Sequence, residues 1–332
     1  MNNTPRRKLD DGRSIPLIGM GTSRIIDKIT EGKVVIKENN IKDVIYQSIK
    51  DGVRLIDTAY KYGNEEQVGV GIKQALDEKI CKREELIIIG KIWLNFRNDP
   101  EKALRETLQK LKLEYIDVYM DHWPSGDDLR TEKEIEEEKR KNPGLEVGRF
   151  NNVSIYEFWP KMEKLVELKL TKSLGVSNYN IQCLSNLLSF CKIRPIMNEI
   201  EYHLFYIQKN LKDFCDRENI AVIAYYPLPR GNGARMAIIN NPEFDILEND
   251  LIKSLAEKYK KTPGQIILNW HYCQGTIPIP STSKTDRMEE NLKSLNFKLE
   301  DEDVKKLSKH FKQISLKRFC GCRRFFGVNV LA

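Results

Sequence analysis

The sequence predicts an α/β protein folded as a closed (β/α)₈ TIM barrel, and three observations support this prediction. Short apolar runs alternate with longer amphipathic stretches, the runs are nearly continuously apolar, and the pattern repeats eight times along 332 residues. Near-continuous apolar strands that alternate with helices are typical of a parallel sheet with both faces covered. Eight such units over this length favour closure into a barrel.

The predicted elements follow in chain order. Residues 4–16, around the turn signal Asp11-Gly12, are expected to form an amino-terminal β-hairpin. The barrel strands are then expected at 17–22, 54–59, 86–92, 116–122, 173–178, 195–201, 221–228 and 276–281. Amphipathic spacing predicts helices at 41–51, 66–78, 100–113, 155–170, 181–191, 208–218, 250–260, 263–274 and 287–295.

We expect a single domain over residues 1–332, with two irregular segments besides the hairpin. Residues 23–40 are expected to be a long polar link before the first helix. Residues 125–153 carry charges of both signs, which indicates an exposed surface loop within the domain, with a mobile lid as the alternative. The carboxyl-terminal segment is expected to form a loop over the face made by the carboxyl ends of the strands.

A doubly wound open sheet is the alternative architecture. Such a sheet normally carries a Gly-rich fingerprint that leads from its first strand into a helix. Here the first predicted strand ends in Gly19-Met20-Gly21-Thr22, and the polar link follows it instead of a helix. The barrel is therefore the favoured prediction.

Composition argues against several other classes of protein. The net charge of +7 is modest and the densest basic cluster lies at 317–324, in the terminal tail, so we expect no nucleic-acid partner. No apolar run reaches the ~18 residues that a membrane helix needs, and the polar amino terminus lacks the pattern of a secretory signal. The seven cysteines show no C-x-x-C spacing, which favours reduced thiols and a cytoplasmic location.

Reactive side chains occur at the ends of three consecutive predicted strands, where barrels of this type hold their active sites. Asp57 and Tyr62 follow the second strand, Lys91 lies in the third, and His122 ends the fourth. A lysine inside an apolar strand needs an acidic partner, and Asp57 on the adjacent strand is the expected one. Taken singly each residue has an ordinary structural interpretation, but together they predict a catalytic site.

These four residue types suit the reduction of a carbonyl, which requires a hydride and a proton. Tyr62 is the candidate general acid, and a neighbouring ammonium at Lys91 would lower the pKa of its phenol. Asp57 would keep Lys91 charged and oriented. A neutral His122 would hydrogen-bond the carbonyl oxygen, and this chemistry needs no metal.

The chain resembles the aldo-keto reductases over residues 8–319, most closely their aldose reductase and xylose reductase branch. The motifs that carry the resemblance are residues 54–69, Gly175-Val176-Ser177-Asn178, residues 117–124 and residues 287–291. The resemblance implies that Tyr62, Lys91, Asp57 and His122 are catalytic. It also implies a small carbonyl substrate, NADPH/NADP⁺ as the cofactor with NADH as a secondary one, and a monomer or weak dimer.

The resemblance further implies the residues that contact cofactor and substrate. The substrate pocket would be lined by Tyr60, Trp93 and Trp123. The cofactor-binding residues would be Thr22, Asp57, Ser177, Asn178, Glu199, Tyr225, Leu228, Ser281, Thr282, Ser283, Lys284, Arg287, Glu290 and Asn291.

Two departures from the family pattern affect the cofactor. Glu199 stands where the family often has glutamine, and a carboxylate accepts hydrogen bonds but cannot donate them. Ser281 stands where a lysine usually pairs with the 2′-phosphate of NADPH. We expect Lys284 and Arg287 to supply that charge, so that NADPH is still preferred.

Two other functions are alternatives to a reductase. A non-catalytic barrel that binds or senses NADP(H) is the first, and the intact set of reactive residues argues against it. An isomerase or aldolase that binds a phosphorylated ligand is the second. It is disfavoured because no Gly-rich phosphate loop follows the seventh and eighth strands.

Overall fold

The computed structural model describes residues 4–23, 28–30, 33–35, 41–125, 137, 140–141, 153–229, 245–282, 284–313 and 318. The strands are β1 (Arg6–Lys8), β2 (Ser14–Pro16), β3 (Met20–Gly21), β4 (Lys28–Thr30), β5 (Lys33–Val35), β6 (Leu55–Asp57), β7 (Ile87–Ile92), β8 (Ile116–Asp121), β9 (Thr171–Ser177), β10 (Met197–Glu201), β11 (Ala221–Tyr225) and β12 (Ile277–Pro278). The helices are α1 (Ile41–Lys50), α2 (Glu65–Asp77), α3 (Pro100–Leu111), α4 (Ile155–Glu167), α5 (Ile181–Leu188), α6 (Lys209–Arg217), α7 (Asp250–Tyr259), α8 (Pro263–Cys273), α9 (Thr285–Leu292) and α10 (Asp301–Gln313).

Eight parallel strands form the barrel, in the order β3-β6-β7-β8-β9-β10-β11-β12. The first and eighth strands close it, because the amide of Gly19 donates to the carbonyl of Pro278 (3.0 Å) and that of Gly21 to the carbonyl of Pro280 (3.1 Å). Glycine is needed at position 21, since a Cβ there would lie 2.8 Å from the carbonyl oxygen of Ile279. The predicted α/β barrel is thus confirmed.

The predicted hairpin is also confirmed, since β1 and β2 pair antiparallel. The side chain of Arg13, at the foot of this hairpin, donates to the carbonyl oxygen of Asp117 (3.1 Å) near the start of β8. The hairpin therefore contacts the amino-terminal end of the barrel, opposite the end at which the predicted reactive residues lie.

Three details differ from the sequence prediction. The stretch 23–40 is more than a polar link, because β4 and β5 pair antiparallel within it through β-branched residues. The eighth strand is shorter than expected because Pro278 and Pro280 have no N–H for the ladder. A tenth helix, α10, follows the last predicted one and buries Leu307 and Phe311.

Helix ends follow local signals in the sequence. The Asp99 carboxylate accepts a hydrogen bond from the amide of Lys102 (3.0 Å) at the start of α3. Ser154 begins α4 with a reciprocal capping box to Glu157, and Thr262 begins α8 in the same way. Such caps satisfy amides that have no partner inside the helix.

Strand alternation explains why charged residues lie inside the barrel. Leu55, Ile87, Ile89, Val118, Met120, Met197 and Ile223 form one buried cluster of inward-facing side chains. Because alternate residues of a strand share a face, the residues two positions further along four of these strands also face the interior. These residues are Asp57, Lys91, His122 and Glu199. The apolar cluster thus fills the lower barrel and the polar side chains cover its carboxyl-terminal end.

Most of 125–153 and of the carboxyl-terminal tail lies outside the described residues, as does the position of Ser283. The described tail residue, Arg318, has its Nε 3.8 Å from the Glu201 carboxylate and its guanidinium carbon 5.6 Å from the Tyr206 ring centroid. Arg318 therefore lies at the carboxyl end of β10. Within the described ranges no helix has the length and apolar character of a membrane span.

Replacement of Gly21 by alanine tests how the barrel closes. The new methyl group would collide with the backbone of Ile279, and we expect the free energy of unfolding to fall by about 1–3 kcal/mol. Gly264→Ala in α8 is the control, because its nearest neighbour would be Thr262 Oγ1 at 3.9 Å. Equal denaturation midpoints for the two variants would contradict the close approach of β3 and β12.

Candidate active site

Three charged side chains meet inside the carboxyl-terminal end of the barrel. The ammonium of Lys91 on β7 pairs with the carboxylate of Asp57 on β6 and with both oxygens of Glu199 on β10, at 3.0 and 2.9 Å. None of the three side chains is more than 2% exposed. The sequence predicted the Asp57–Lys91 pair, but it did not predict that Glu199 would hold the same ammonium.

The cluster carries two carboxylates for one ammonium. Burial alone would lower the pKa of Lys91, but Asp57 and Glu199 outweigh that effect and hold it above its usual value. Burial and the neighbouring Glu199 raise the pKa of Asp57 well above the ordinary range, against the attraction of Lys91. Lys91 is therefore charged, and two carboxyl groups share its ammonium.

Tyr62 stands directly above this cluster, in a 3₁₀ turn over Tyr60–Tyr62 that Gly63 ends in a left-handed conformation (φ 68°). Its ring centroid lies 5.2 Å from Lys91 Nζ. Burial raises the pKa of the Tyr62 hydroxyl; Lys91 lowers it, while Asp57 and Glu199 raise it further. The tyrosine is thus a protonated hydroxyl beside a buried ammonium.

His122 lies among aromatic rings at the end of β8. Its ring centroid is 5.8 Å from that of Tyr62 and 5.3 Å from that of Trp93, both in edge contacts, and Trp123 stacks on it at 6.4 Å. Burial, with the Lys91 charge as a second cause, lowers the pKa of His122 well below its usual value. The imidazole is therefore neutral and suited to donate or accept a hydrogen bond.

A chain of hydrogen bonds fixes the side chains at the ends of β9 and β11. Tyr225 donates its hydroxyl proton to Asn178 Oδ1 (2.8 Å), and Asn178 Nδ2 donates to the His122 carbonyl and to Ser177 Oγ (3.0 Å each). The Ser177 hydroxyl donates to the Glu199 carbonyl (3.0 Å). These predicted residues therefore adjoin both His122 and Glu199.

Thr22 and Asn64 complete the face on the side of β3. The amide of Thr22 donates to the Asp57 carbonyl (2.9 Å), and Asn64 Nδ2 donates to the Thr22 carbonyl (2.7 Å). Thr22 Oγ1 and Asn64 Oδ1 are buried and have no hydrogen-bond partner among the residues that the structure describes. Buried polar atoms normally have partners, so both are free to bind a ligand. The sequence prediction missed Asn64, although it lies two residues after Tyr62.

The residues predicted for the adenosine end lie in α9 and in the segment directly before it. Ser281, Lys284 and Arg287 are exposed, and Thr282 Oγ1 accepts from the amide of Lys284 (3.1 Å). Glu290 accepts a hydrogen bond from the Thr262 hydroxyl (2.5 Å), which ties α9 to α8.

Three other predicted residues lie in different surroundings. Asn291 is buried within α9, and Leu228 packs against the hydrophobic core. Tyr60 contacts the ring of Phe96 (4.8 Å) and the ammonium of Lys110 (4.4 Å) on α3, so these contacts do not group it with Trp93 and Trp123.

A second buried ion pair adjoins the site and was not predicted. Asp121, one residue before His122, pairs with Arg97 (2.6 Å) and accepts from the Tyr179 hydroxyl (2.7 Å). Strand alternation directs Asp121 outward, and the Arg97 guanidinium lies 4.2 Å from the ring of Phe158 on α4. The charge of Asp121 within an apolar strand was the available signal in the sequence.

The described residues contain no group of three or more His, Cys, Asp or Glu side chains suited to hold a metal ion.

The barrel and its charged centre define an α/β-barrel enzyme with a tyrosine, a lysine and a neutral histidine at the carboxyl ends of its strands. Comparison with known proteins identifies the family. The model of the Aldo/keto reductase family matches residues 17–312.

Individual relatives agree with this match. A protein of Dictyostelium discoideum named aldose reductase B is 36% identical over 305 residues, covering 90% of each chain. A protein of Pyricularia oryzae named NAD(P)H-dependent D-xylose reductase is 34% identical over 315 residues, covering 92% of each chain. The structure of a Bombyx mori aldo-keto reductase in complex with NADP superposes with a TM-score of 0.83 at 31% identity, covering 96% of each chain. The chain belongs to the aldo-keto reductase family and is an oxidoreductase, which confirms the resemblance drawn from its motifs.

Replacement of Lys91 by methionine tests the charged cluster. The carboxylates of Asp57 and Glu199 would then face each other without a cation, and we expect the free energy of unfolding to fall by about 3–5 kcal/mol near pH 8. A carboxyl whose pKa is raised by folding stabilises the protein at low pH, and this stability is lost as the pH rises through the raised pKa. The difference in the free energy of unfolding between wild type and Lys91→Met should therefore become smaller as the pH falls towards 5.

Lys110→Met is the matched control for this variant. Lys110 lies 3.7 Å from the Glu65 carboxylate but is 42% exposed, so its loss should cost at most about 1 kcal/mol. Urea titrations at several pH values measure both variants. A Lys91→Met deficit that is small, or that does not change with pH, would contradict the buried cluster.

Proposed function

We propose that the protein reduces an aldehyde or ketone, with aldose sugars among the candidates, to the corresponding alcohol with NADPH. The observation that carries this proposal is the buried Lys91 ammonium beneath Tyr62, with neutral His122 in contact with the same tyrosine. The names of the Dictyostelium and Pyricularia relatives support the reaction class, and the bound NADP of the Bombyx mori structure supports the cofactor.

The side chains divide the chemistry among them. NADPH, when bound, supplies the hydride for the carbonyl carbon. Tyr62 gives its hydroxyl proton to the carbonyl oxygen as negative charge develops there. Lys91 stabilises the phenolate that remains on Tyr62, and Asp57 orients Lys91. His122, kept neutral by burial, donates a hydrogen bond that orients the carbonyl oxygen.

The donors and acceptors beside this centre fit a nicotinamide. Ser177, Asn178 and Glu199 lie at the ends of adjacent strands and offer groups for a carboxamide, and the ring of Tyr225 is held by Asn178 for stacking. The buried hydroxyl of Thr22, which has no partner among the described residues, points to a further ligand contact. Leu228 would complete this half of the cofactor site.

The surface at α9 suits the adenosine half of the cofactor. The exposed Lys284 and Arg287 provide cationic groups near the start of the helix, with the hydroxyls of Ser281 and Thr282 as additional donors. Ser283, which lies outside the described residues, is assigned to the same half by the family resemblance. A helix start with basic side chains favours a phosphate. Glu290 and Asn291 would face the adenine, although Glu290 also holds Thr262. These groups support a preference for NADPH, with NADH as a secondary cofactor.

Trp93 and Trp123 are buried rings that both contact the imidazole of His122, and they would form apolar walls for the substrate. Tyr60 is assigned to the same pocket by the family resemblance. We also propose a cytoplasmic monomer or weak dimer, in keeping with the five described cysteines, all of which are free thiols. Tight NADPH binding without turnover on a broad aldehyde panel would favour the non-catalytic alternative instead.

Tyr62→Phe tests the assignment of the general acid. Loss of the hydroxyl removes the proton donor but keeps the ring, so we expect reduction of 4-nitrobenzaldehyde to fall by at least about 100-fold. NADPH binding, followed by quenching of protein fluorescence, should stay within a few-fold of wild type. Substantial reductase activity in this variant would rule out Tyr62 as the acid.

Arg287→Ala tests the cofactor preference. Loss of a charge-assisted hydrogen bond to the 2′-phosphate should lower kcat/KM for NADPH by roughly 10- to 100-fold and leave kcat/KM for NADH nearly unchanged. Lys293→Ala is the control, because Lys293 directly follows the same helix and pairs with Glu289 at 2.7 Å. A wild-type protein that prefers NADH would contradict this assignment.

A further inference from the structure

Glu199 has a contact that its expected role does not explain. A residue that binds the nicotinamide carboxamide needs only to lie at the end of β10. Both carboxylate oxygens of Glu199 also accept hydrogen bonds from the Lys91 ammonium, at 3.0 and 2.9 Å. Glu199 and Lys91 are 2% and 0% exposed, so water does little to weaken this pair. The ion pair is therefore part of the buried structure of the site.

The pair limits what Lys91 can do for Tyr62. An ammonium has three N–H donors, and here they serve two carboxylates. The ring centroid of Tyr62 lies 5.2 Å from the same nitrogen, so Tyr62 shares this ammonium with the carboxylates. Asp57 alone would balance the charge of Lys91. When both carboxyl groups are ionised, Glu199 makes the net charge of the three side chains −1, and a negative cluster disfavours the formation of a further anion on Tyr62.

We propose that Glu199 is a positioning residue that shares the Lys91 ammonium with Asp57 and Tyr62 and so biases the enzyme toward reduction over alcohol oxidation. This inference rests on the proposed function. In reduction Tyr62 must carry its proton, and the extra carboxylate keeps it protonated to higher pH. In oxidation the alcohol O–H proton passes to the Tyr62 phenolate while hydride leaves the carbon for NADP⁺, and the same carboxylate makes that phenolate scarce.

The charged and titratable groups around Tyr62 are consistent with this bias. Asp57 faces it from β6, Lys91 from β7, His122 from β8 and Glu199 from β10. Burial lowers the pKa of His122 well below neutral, so His122 does not gain charge over the assay range. Glu199 raises the pKa of the Tyr62 hydroxyl, as Asp57 does, and only Lys91 opposes them.

The test compares pH profiles of wild type and Glu199→Gln in both directions, with 4-nitrobenzaldehyde and NADPH, and with 4-nitrobenzyl alcohol and NADP⁺. Glutamine keeps the shape of the side chain and removes its charge. We expect kcat for wild-type oxidation to keep rising up to pH 10 without a plateau. In Glu199→Gln the rising limb should move about one pH unit or more toward neutral, and oxidation at pH 8 should increase relative to reduction by about tenfold.

Glu65→Gln is the matched control, since Glu65 is also a buried carboxylate, 2% exposed, but contacts Thr107 and Lys110 instead of the site. Its oxidation profile should coincide with that of wild type. A rising limb that does not move in Glu199→Gln, or that moves equally in Glu65→Gln, would overturn the inference while leaving the reductase function intact.

The wild-type enzyme provides a test that does not depend on how any variant folds. A plateau of its oxidation rate below pH 8 would show that Tyr62 ionises readily despite Glu199, and this would also overturn the inference. A wild-type protein that does not reduce aldehydes would remove the proposed function and this inference with it.

Discussion

The buried ammonium of Lys91 is the interaction on which the rest of the site depends. A charge that is 0% exposed inside a barrel is tolerated only when counter-charges meet it, and here Asp57 and Glu199 do so from strands on different sides of β7. The ammonium in turn lowers the pKa of Tyr62 against the larger effect of burial, and it adds to the burial that keeps His122 neutral. One buried cation thus contacts or faces Asp57, Glu199, Tyr62 and His122.

The barrel provides the geometry for this cation. Because alternate residues of each strand face the interior, the layer of apolar side chains is followed by a layer of charged ones. Residues far apart in the chain therefore lie at the same height in the barrel. The pairing of β3 with β6 brings Thr22 beside Asp57, and Gly21 permits the close approach of β3 to the eighth strand that closes the barrel. The second ion pair, of Asp121 with Arg97, anchors the strand that carries His122 from its outer side. Aromatic contacts with Trp93 and Trp123 complete the surroundings of the imidazole.

Much of this arrangement was predictable because it depends on local patterns. The alternation of apolar strands and amphipathic helices predicted the barrel, and the adjacency of its second and third strands predicted the Asp57–Lys91 pair. The Glu199–Lys91 pair was not predictable in this way, because β8 and β9 lie between their strands in the sheet. Whether two such residues meet across a barrel depends on strand stagger, which the pattern of a single sequence does not specify. Asn64 was missed because its side chain contacts the backbone of Thr22. A contact with backbone atoms does not depend on the identity of the partner residue, so it produces no recognisable motif in the sequence.

Chemical rescue of Lys91→Ala tests most directly whether an ammonium at this position drives the reaction. Removal of the side chain leaves a cavity between two carboxylates, and a small primary ammonium ion from solution has the charge and size to occupy it. We predict that NADPH-dependent reduction of 4-nitrobenzaldehyde is lost in Lys91→Ala, and that it returns in proportion to added methylammonium, which leaves the wild type unaffected. Full activity in the variant without amine, or no return of activity at any amine concentration in a folded variant, would contradict this account.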